Sequence, residues 1–152
     1  MAVTEFGLST LGVKFGWAVG SSKPSSYTQL ERITSIGEIS NEPETIDVSA
    51  LEDYISHFVA GRGTITDTLA IGVLFTDETM EQWEAVLTAY AAMTAGQQMW
   101  FMVTVEGLSD AAYINAAPPA TLPMPSLEQN SAFTATINLT VKDYNWDTKG
   151  SF

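Results

Sequence analysis

The sequence predicts a mainly β domain with one α-helix: a sheet, or two packed sheets, with the helix covering an apolar patch. Three observations carry this. Apolar and polar residues alternate over Thr64–Phe75 and again over Ala132–Tyr144, the period of a half-buried strand. A single stretch, from Thr76 to Gly96, places its apolar residues three and four apart, the period of a helix. Clusters of Gly, Pro, Asn and Ser separate the periodic runs, as turn residues do. With 152 residues the chain has the length of one domain, 1–152, and its 45% of hydrophobic residues is ample for a core.

Taken in order, Leu11, Val13, Phe15 and Trp17 alternate with Gly12, Lys14, Gly16 and Ala18, which predicts a first strand. The stretch Gly20–Ser26, GSSKPSS, is a loop by composition. Tyr27–Ile36 predicts a second strand, with a bulge where the alternation slips near Leu30 and Ile33. Gly37–Val48 is expected to be a connection. Ser49 and Glu52 then have the spacing of a capping box, which predicts a short helical turn. Tyr54–Val59 fits either a short strand or the end of that turn, and Gly61 and Gly63 mark a tight bend. Thr64–Phe75 is a strand with Ile65, Leu69, Ile71 and Val73 on one side and Thr64, Thr66 and Thr68 on the other.

The helix is capped by Thr76 or Asp77, and Asp77, Glu78 and Glu81 suit the positive end of its dipole. Met80, Trp83, Leu87 and Tyr90 form its apolar stripe, and Gly96 ends it. Met99–Glu106 is apolar on both faces and predicts a well-covered strand. Ala112–Ala116 is a short strand before a run of prolines. The last strand puts Phe133, Ala135, Ile137, Leu139 and Val141 on one face and Thr134, Thr136, Asn138 and Thr140 on the other.

Charge narrows the function. Six basic residues stand against 18 acidic ones, a net charge of −12, and no Lys or Arg falls between Arg62 and Lys142. Gripping a phosphate backbone needs clustered cations, so nucleic-acid binding is not expected, and anionic membranes are repelled. There is no cysteine. Neither an export signal nor an apolar run long enough to span a membrane is read. His57 is the sole histidine and has no nucleophile or second ligand beside it; Ala60–Gly63 lacks the rest of a phosphate loop. No enzyme, metal site or cofactor is expected.

The order of elements resembles the major tail tube proteins of long-tailed, siphovirus-type bacteriophages. The resemblance runs from about Leu11 to Lys142. It rests on Ile46-Asp47-Val48-Ser49-Ala50-Leu51, a glycine-containing turn about ten residues later, the acidic-capped helix, MWFMVTVEG, and a final strand of alternating Thr and apolar residues. It implies a β-sandwich or half-barrel flanked by a single helix. It further implies six-membered rings, joined edge to edge and stacked into the tube through which DNA leaves the virion. Residues 37–61 would be an extended arm reaching a neighbouring ring, with Ile46, Asp47, Val48, Ser49 and Leu51 as its contact residues, and 142–152 a C-terminal tail. The implied partners are further copies and the tape-measure, terminator and distal tail proteins, assembled in the host cytoplasm; DNA would pass without specific binding.

The neutral rows Thr64/Thr66/Thr68 and Thr134/Thr136/Asn138/Thr140 would then be a wet wall without cationic hooks, and six copies of −12 make −72. Two alternatives stay open. One is the tube protein of a contractile tail or secretion system. The other is a carbohydrate- or cell-surface-binding β-sandwich, for which Trp146 is the free aromatic.

Overall fold

The computed structural model describes residues 11–152. The opening residues, on which the expectation of no export signal rests, lie outside them. The protein is mainly β with one helix. Its strands are β1 (Lys14–Gly20), β2 (Thr28–Leu30), β3 (Ile33–Ile36), β4 (Asn41–Asp47), β5 (Phe58–Ile65), β6 (Thr68–Leu74), β7 (Gln98–Thr104), β8 (Asp110–Ala117) and β9 (Thr134–Thr148), with α1 (Asp77–Ala91) between β6 and β7. Seven strands form one antiparallel sheet in the order β2-β1-β7-β8-β9-β6-β3, and β4 and β5 form a separate ribbon.

The sheet must be curled. β2 and β3 are its two outer strands, yet only Glu31 and Arg32 lie between them. Laid flat, seven strands would hold those edges about 29 Å apart. The chain from Leu30 to Ile33 spans at most about 11 Å. The sheet therefore wraps into a half-barrel whose edges meet at one end, across a link made possible by Arg32 in the left-handed region (φ 57°). The sequence predicts one bulged strand over Tyr27–Ile36. The structure instead breaks it at Glu31–Arg32 and sends the halves to opposite edges.

Two features of β9 shape the barrel. Its first half, Thr134–Thr140, pairs with β6, while Thr140–Thr148 pairs with β8. One backbone thus passes from one half of the sheet to the other. The β8–β9 register slips between Asn115 and Ala116, whose partners are Asp143 and Val141, leaving Lys142 as an extra residue. That bulge flips the alternation, so the inward series Ala135, Ile137, Leu139, Val141 continues with Tyr144. Residues 142–148, read as part of a tail, are strand. Ser151 then hydrogen-bonds through its backbone to Ser25 and Tyr27, binding the chain end to the β1–β2 loop.

The core lies inside the curl. Phe15 stacks on Phe101 at 5.4 Å and on Trp83 of the helix at 6.4 Å. Leu69, Ile71, Val73, Ile137 and Leu139 complete it, all fully buried. On the outer face, Tyr27, Met102, Ala111 and Tyr113 form a smaller cluster, held down by Lys23, which lies over the Tyr113 ring and pairs with Asp147.

Helix α1 starts where predicted. Thr76 is the N-cap, and its partner is Thr79: Thr79 N–H donates to the Thr76 hydroxyl at 3.3 Å, and Thr76 N–H donates to the Thr79 hydroxyl at 2.7 Å. The inward side chains are Thr79, Trp83 and Val86; Leu87, expected on that stripe, is only partly covered. The helix ends at Ala91 with Ala92 as C-cap, before Gly96, which instead supplies a positive φ (88°) in the turn into β7.

Candidate functional site

The region that stands apart from the core is the β4–β5 ribbon with its tip, residues 41–65. Two glycines set its shape. Gly61 and Gly63, expected to make a bend, lie inside β5, where the pairing slips: Pro43 faces Gly63 but Thr45 faces Ala60, so Gly61 and Arg62 oppose the single residue Glu44. This is a bulge, which twists a two-stranded ribbon. The connection expected over Gly37–Val48 is thus largely strand, and the Tyr54–Val59 ambiguity resolves with β5 opening at Phe58. At the ribbon's base, Thr66 N–H donates to Ser40 O and Ser40 N–H to the Thr66 hydroxyl, both at 3.0 Å.

The tip is a turn, not a helix. The capping-box expectation pairs Ser49 with Glu52, but other partners take those roles. Asp47 accepts the Ser49 N–H at 2.9 Å, and Asp53 accepts the Ala50 N–H at 2.7 Å. The Ser49 hydroxyl accepts the His57 N–H at 2.6 Å, and Val48 N–H donates to His57 O at 2.9 Å. Side-chain-to-backbone bonds of this kind compete with helix formation. The one histidine therefore sits on the ribbon, its backbone locking the tip. Among the described residues no group of three His, Cys, Asp or Glu could hold a metal ion, and no helix is long and apolar enough to cross a membrane.

The Ser49 amide, and then its hydroxyl, hold the Asp47 carboxyl below its ordinary value. Because the folded pKa is depressed, the contribution to the tip is present above the ordinary carboxylate value and is lost as pH falls through the lowered one. In a nuclear magnetic resonance titration, Asp47 is expected to protonate below about 3.9, the unperturbed value. The protection of the Ser49 amide against exchange, relative to an unbonded amide at the same pH, should be lost only over that same acid range. A midpoint at or above the ordinary value contradicts the assigned bond.

The ribbon and tip carry an unusual surface. Ile46, Val48, Leu51, Tyr54, Ile55 and Phe58 are all exposed, Leu51 completely. Ile46 lies opposite Val59, so one ribbon face is aliphatic. From Asn41 to Val59 there are five acids, Glu42, Glu44, Asp47, Glu52 and Asp53, and no Lys or Arg. Large exposed apolar patches are uncommon on soluble monomers. Of the residues singled out from sequence, Ile46, Asp47, Val48, Ser49 and Leu51 are brought together here. Tyr54, Ile55 and Phe58 are further exposed apolar residues of the tip and ribbon, Phe58 on the face opposite Ile46, across from Asp47; their lack of a clean period hid them.

The neutral rows divide differently. Thr134, Thr136, Asn138 and Thr140 are exposed on one face of β9, and Thr68, opposite Thr140, extends that row. The expected row Thr64/Thr66/Thr68 does not exist as one. Thr64 belongs to β5 of the ribbon, its side chain outside the described residues; Thr66 lies in the turn, half-buried against Ser40; only Thr68 opens β6. The physical reason is a change of partner: the Thr66 N–H still donates to Ser40 O beside β4, whereas Asp67 O already accepts the Val141 N–H of β9. Alongside the β9 row, Thr134–Leu139 have no strand partner on the β8 side among the described residues. That edge is free.

Trp146 is half-exposed and sits beside Ile36, Ile39, Leu69 and Val103 in a depression of about 210 Å³. The lining is almost wholly apolar, whereas sugar recognition needs placed polar groups beside the aromatic face.

No family model and no curated protein matches the chain. Solved structures do. A chain of the anti-feeding prophage baseplate, six-fold symmetrised, is 14% identical, covers 97% of this chain and 98% of its own, and superposes with a TM-score of 0.60. A chain from the tail of an empty gene transfer agent particle, refined with helical C6 symmetry, is 13% identical over 91% of this chain and 96% of that one, with a TM-score of 0.59. A chain of the native gene transfer agent virion is 11% identical over 93% and 100%, with a TM-score of 0.60. The half-barrel, its helix and the ribbon are thus a fold shared, nearly end to end, with chains of tail-bearing particles.

Proposed function

We propose that the protein is a structural subunit of a phage-type tail tube, assembling into stacked six-membered rings around a channel through which DNA leaves the particle. One observation carries this reading: the exposed apolar ribbon, residues 41–65, which the chain's own core does not cover. Its side chains need a partner, and its hydrogen-bonded tip is ordered before docking, so less conformational entropy is lost on contact. The free β9 edge supports the second half of the reading. An unpaired edge is a hazard in a lone molecule and is satisfied when a ring closes by strand pairing. The fold shared with chains of six-fold-symmetric tail assemblies agrees with both.

Placing Thr134, Thr136, Asn138 and Thr140 toward the channel gives it a neutral hydroxyl-rich lining. Asp143 and Asn145 continue that face past the bulge. Six copies at −12 bring −72 per ring, and Lys23, which stands beside Asp143 and Asn145, is paired with Asp147, so DNA is held weakly and slides. A role in the virion, with tape-measure, terminator and distal tail proteins as partners, belongs to this proposal, as does the absence of catalysis. A tube of the siphovirus type is favoured over the contractile kind by the sequence resemblance.

Electron microscopy of the purified chain tests it directly. Six-membered rings or tubes are expected at high protein concentration and moderate salt, which screens the like charges. A strictly monomeric species under those conditions overturns the reading.

A further inference from the structure

We propose that the cleft between Lys14 and Lys149 is the seat for the ribbon tip of a second copy, with Leu51 against the Phe152 ring and Glu52 held by the two lysines. This rests on the tube reading and adds to it the receiving surface.

The tip offers one carboxylate without a hydrogen bond among the described residues, Glu52, directly beside its most exposed aliphatic side chain, Leu51. Asp47 and Asp53 are engaged by the Ser49 and Ala50 amides. Glu52 accepts no hydrogen bond among the described residues, and Leu51 beside it is wholly exposed. Among the described residues the tip's hydrogen bonds all run within residues 47–57, the Ser40–Thr66 clasp closes the ribbon at its base, and Leu51 and Tyr54 at the tip are wholly exposed.

The cleft has complementary chemistry. It measures about 310 Å³ and is lined by Gly12, Lys14, Thr104, Glu106, Lys149 and Phe152, together with Gly150. Phe152, 41% exposed, lies across Gly16, where a Cβ would come within 2.8 Å of the Thr28 carbonyl as well as striking that ring. Glycine at this point lets the ring settle and form an apolar floor. Lys149 is fixed by donating to Val105 O at 3.1 Å, and neither it nor Lys14 has a salt-bridge partner among the described residues. With Glu106 the only acid, the lining side chains carry an excess of one positive charge on a chain of net −12. A ribbon with five acids and no Lys or Arg from Asn41 to Val59 is attracted to that spot.

The test is a charge swap scored by sedimentation of polymer and by electron microscopy. Lys14→Glu with Lys149→Glu is expected to keep the wild-type melting temperature and to reduce sedimented tube at least tenfold. Glu52→Lys alone, on the exposed tip, is expected to do the same and guards against a misfolded cleft variant. Combining all three should restore tubes. Wild-type-like tubes from either altered protein, or failure of the triple variant to regain them while folded, overturns the seat. Absence of tubes from the wild-type chain overturns the tube reading instead.

Discussion

Ile46→Asp combined with Leu51→Asp is expected to yield a folded monomer that forms no tubes. Both side chains are exposed in the single chain, 52% and 109%, so neither contributes to its core and its melting temperature should hold within a degree or two. In a docked ribbon each would be buried, a gain of roughly 1.5–3 kcal/mol per side chain. Replacing both by carboxylates removes that gain and buries charge where none is paired. A tube repeats the contact at every subunit, so the loss multiplies along the polymer and assembly should fall below detection. Circular dichroism checks the fold and negative-stain microscopy the assembly. Normal tubes from this variant mean that the ribbon is not the contact.

The second large effect is on the fold. Trp83→Ala is expected to destabilise the protein by about 3–5 kcal/mol, the range for emptying an aromatic site in a core. Trp83 is fully buried, stacks on Phe15 and is the main tie between helix and sheet. Against a typical total of about 5–15 kcal/mol, that brings the chain close to unfolding at growth temperatures. Trp83→Phe provides the contrast. The indole N–H makes no hydrogen bond among the described residues, so the phenyl ring retains the stacking without an unpaired buried donor. Urea titration should place Phe well above Ala. Equal midpoints for the two would show that the ring's packing is not what holds the helix.

What the sequence made legible follows from physical range. Helix α1 and β9 were readable because each is decided by its own period, Trp83 and Tyr90 falling on one helical face and Ala135, Ile137 and Leu139 on one strand face, and β7 because it is apolar on both faces. The ribbon was not readable in that way. No core face imposes alternation on Asn41–Asp47, and every residue of that strand is exposed. The Ser49–Glu52 spacing failed because Asp47 takes the Ser49 amide and the His57 amide takes the Ser49 hydroxyl, a competition that spacing alone does not reveal. The break at Arg32 was hidden because only tertiary closure of the barrel requires it. The apolar character of Ile46, Val48 and Leu51 was visible from the outset. That Tyr54, Ile55 and Phe58 are exposed on the same ribbon and tip required the fold.

The passage of β9 across both halves of the barrel has a consequence for when assembly can begin. Neither half is complete until this strand, the last in chain order, has been synthesised and threaded into place. Its contacts with β6 and β8 join residues far apart along the chain, the kind of pairing that forms late and slowly. The ribbon leaves the ribosome much earlier, yet no nascent chain has a finished body for it to grip. If the chain polymerises as proposed, it can receive another copy's ribbon only once this closing strand is in place.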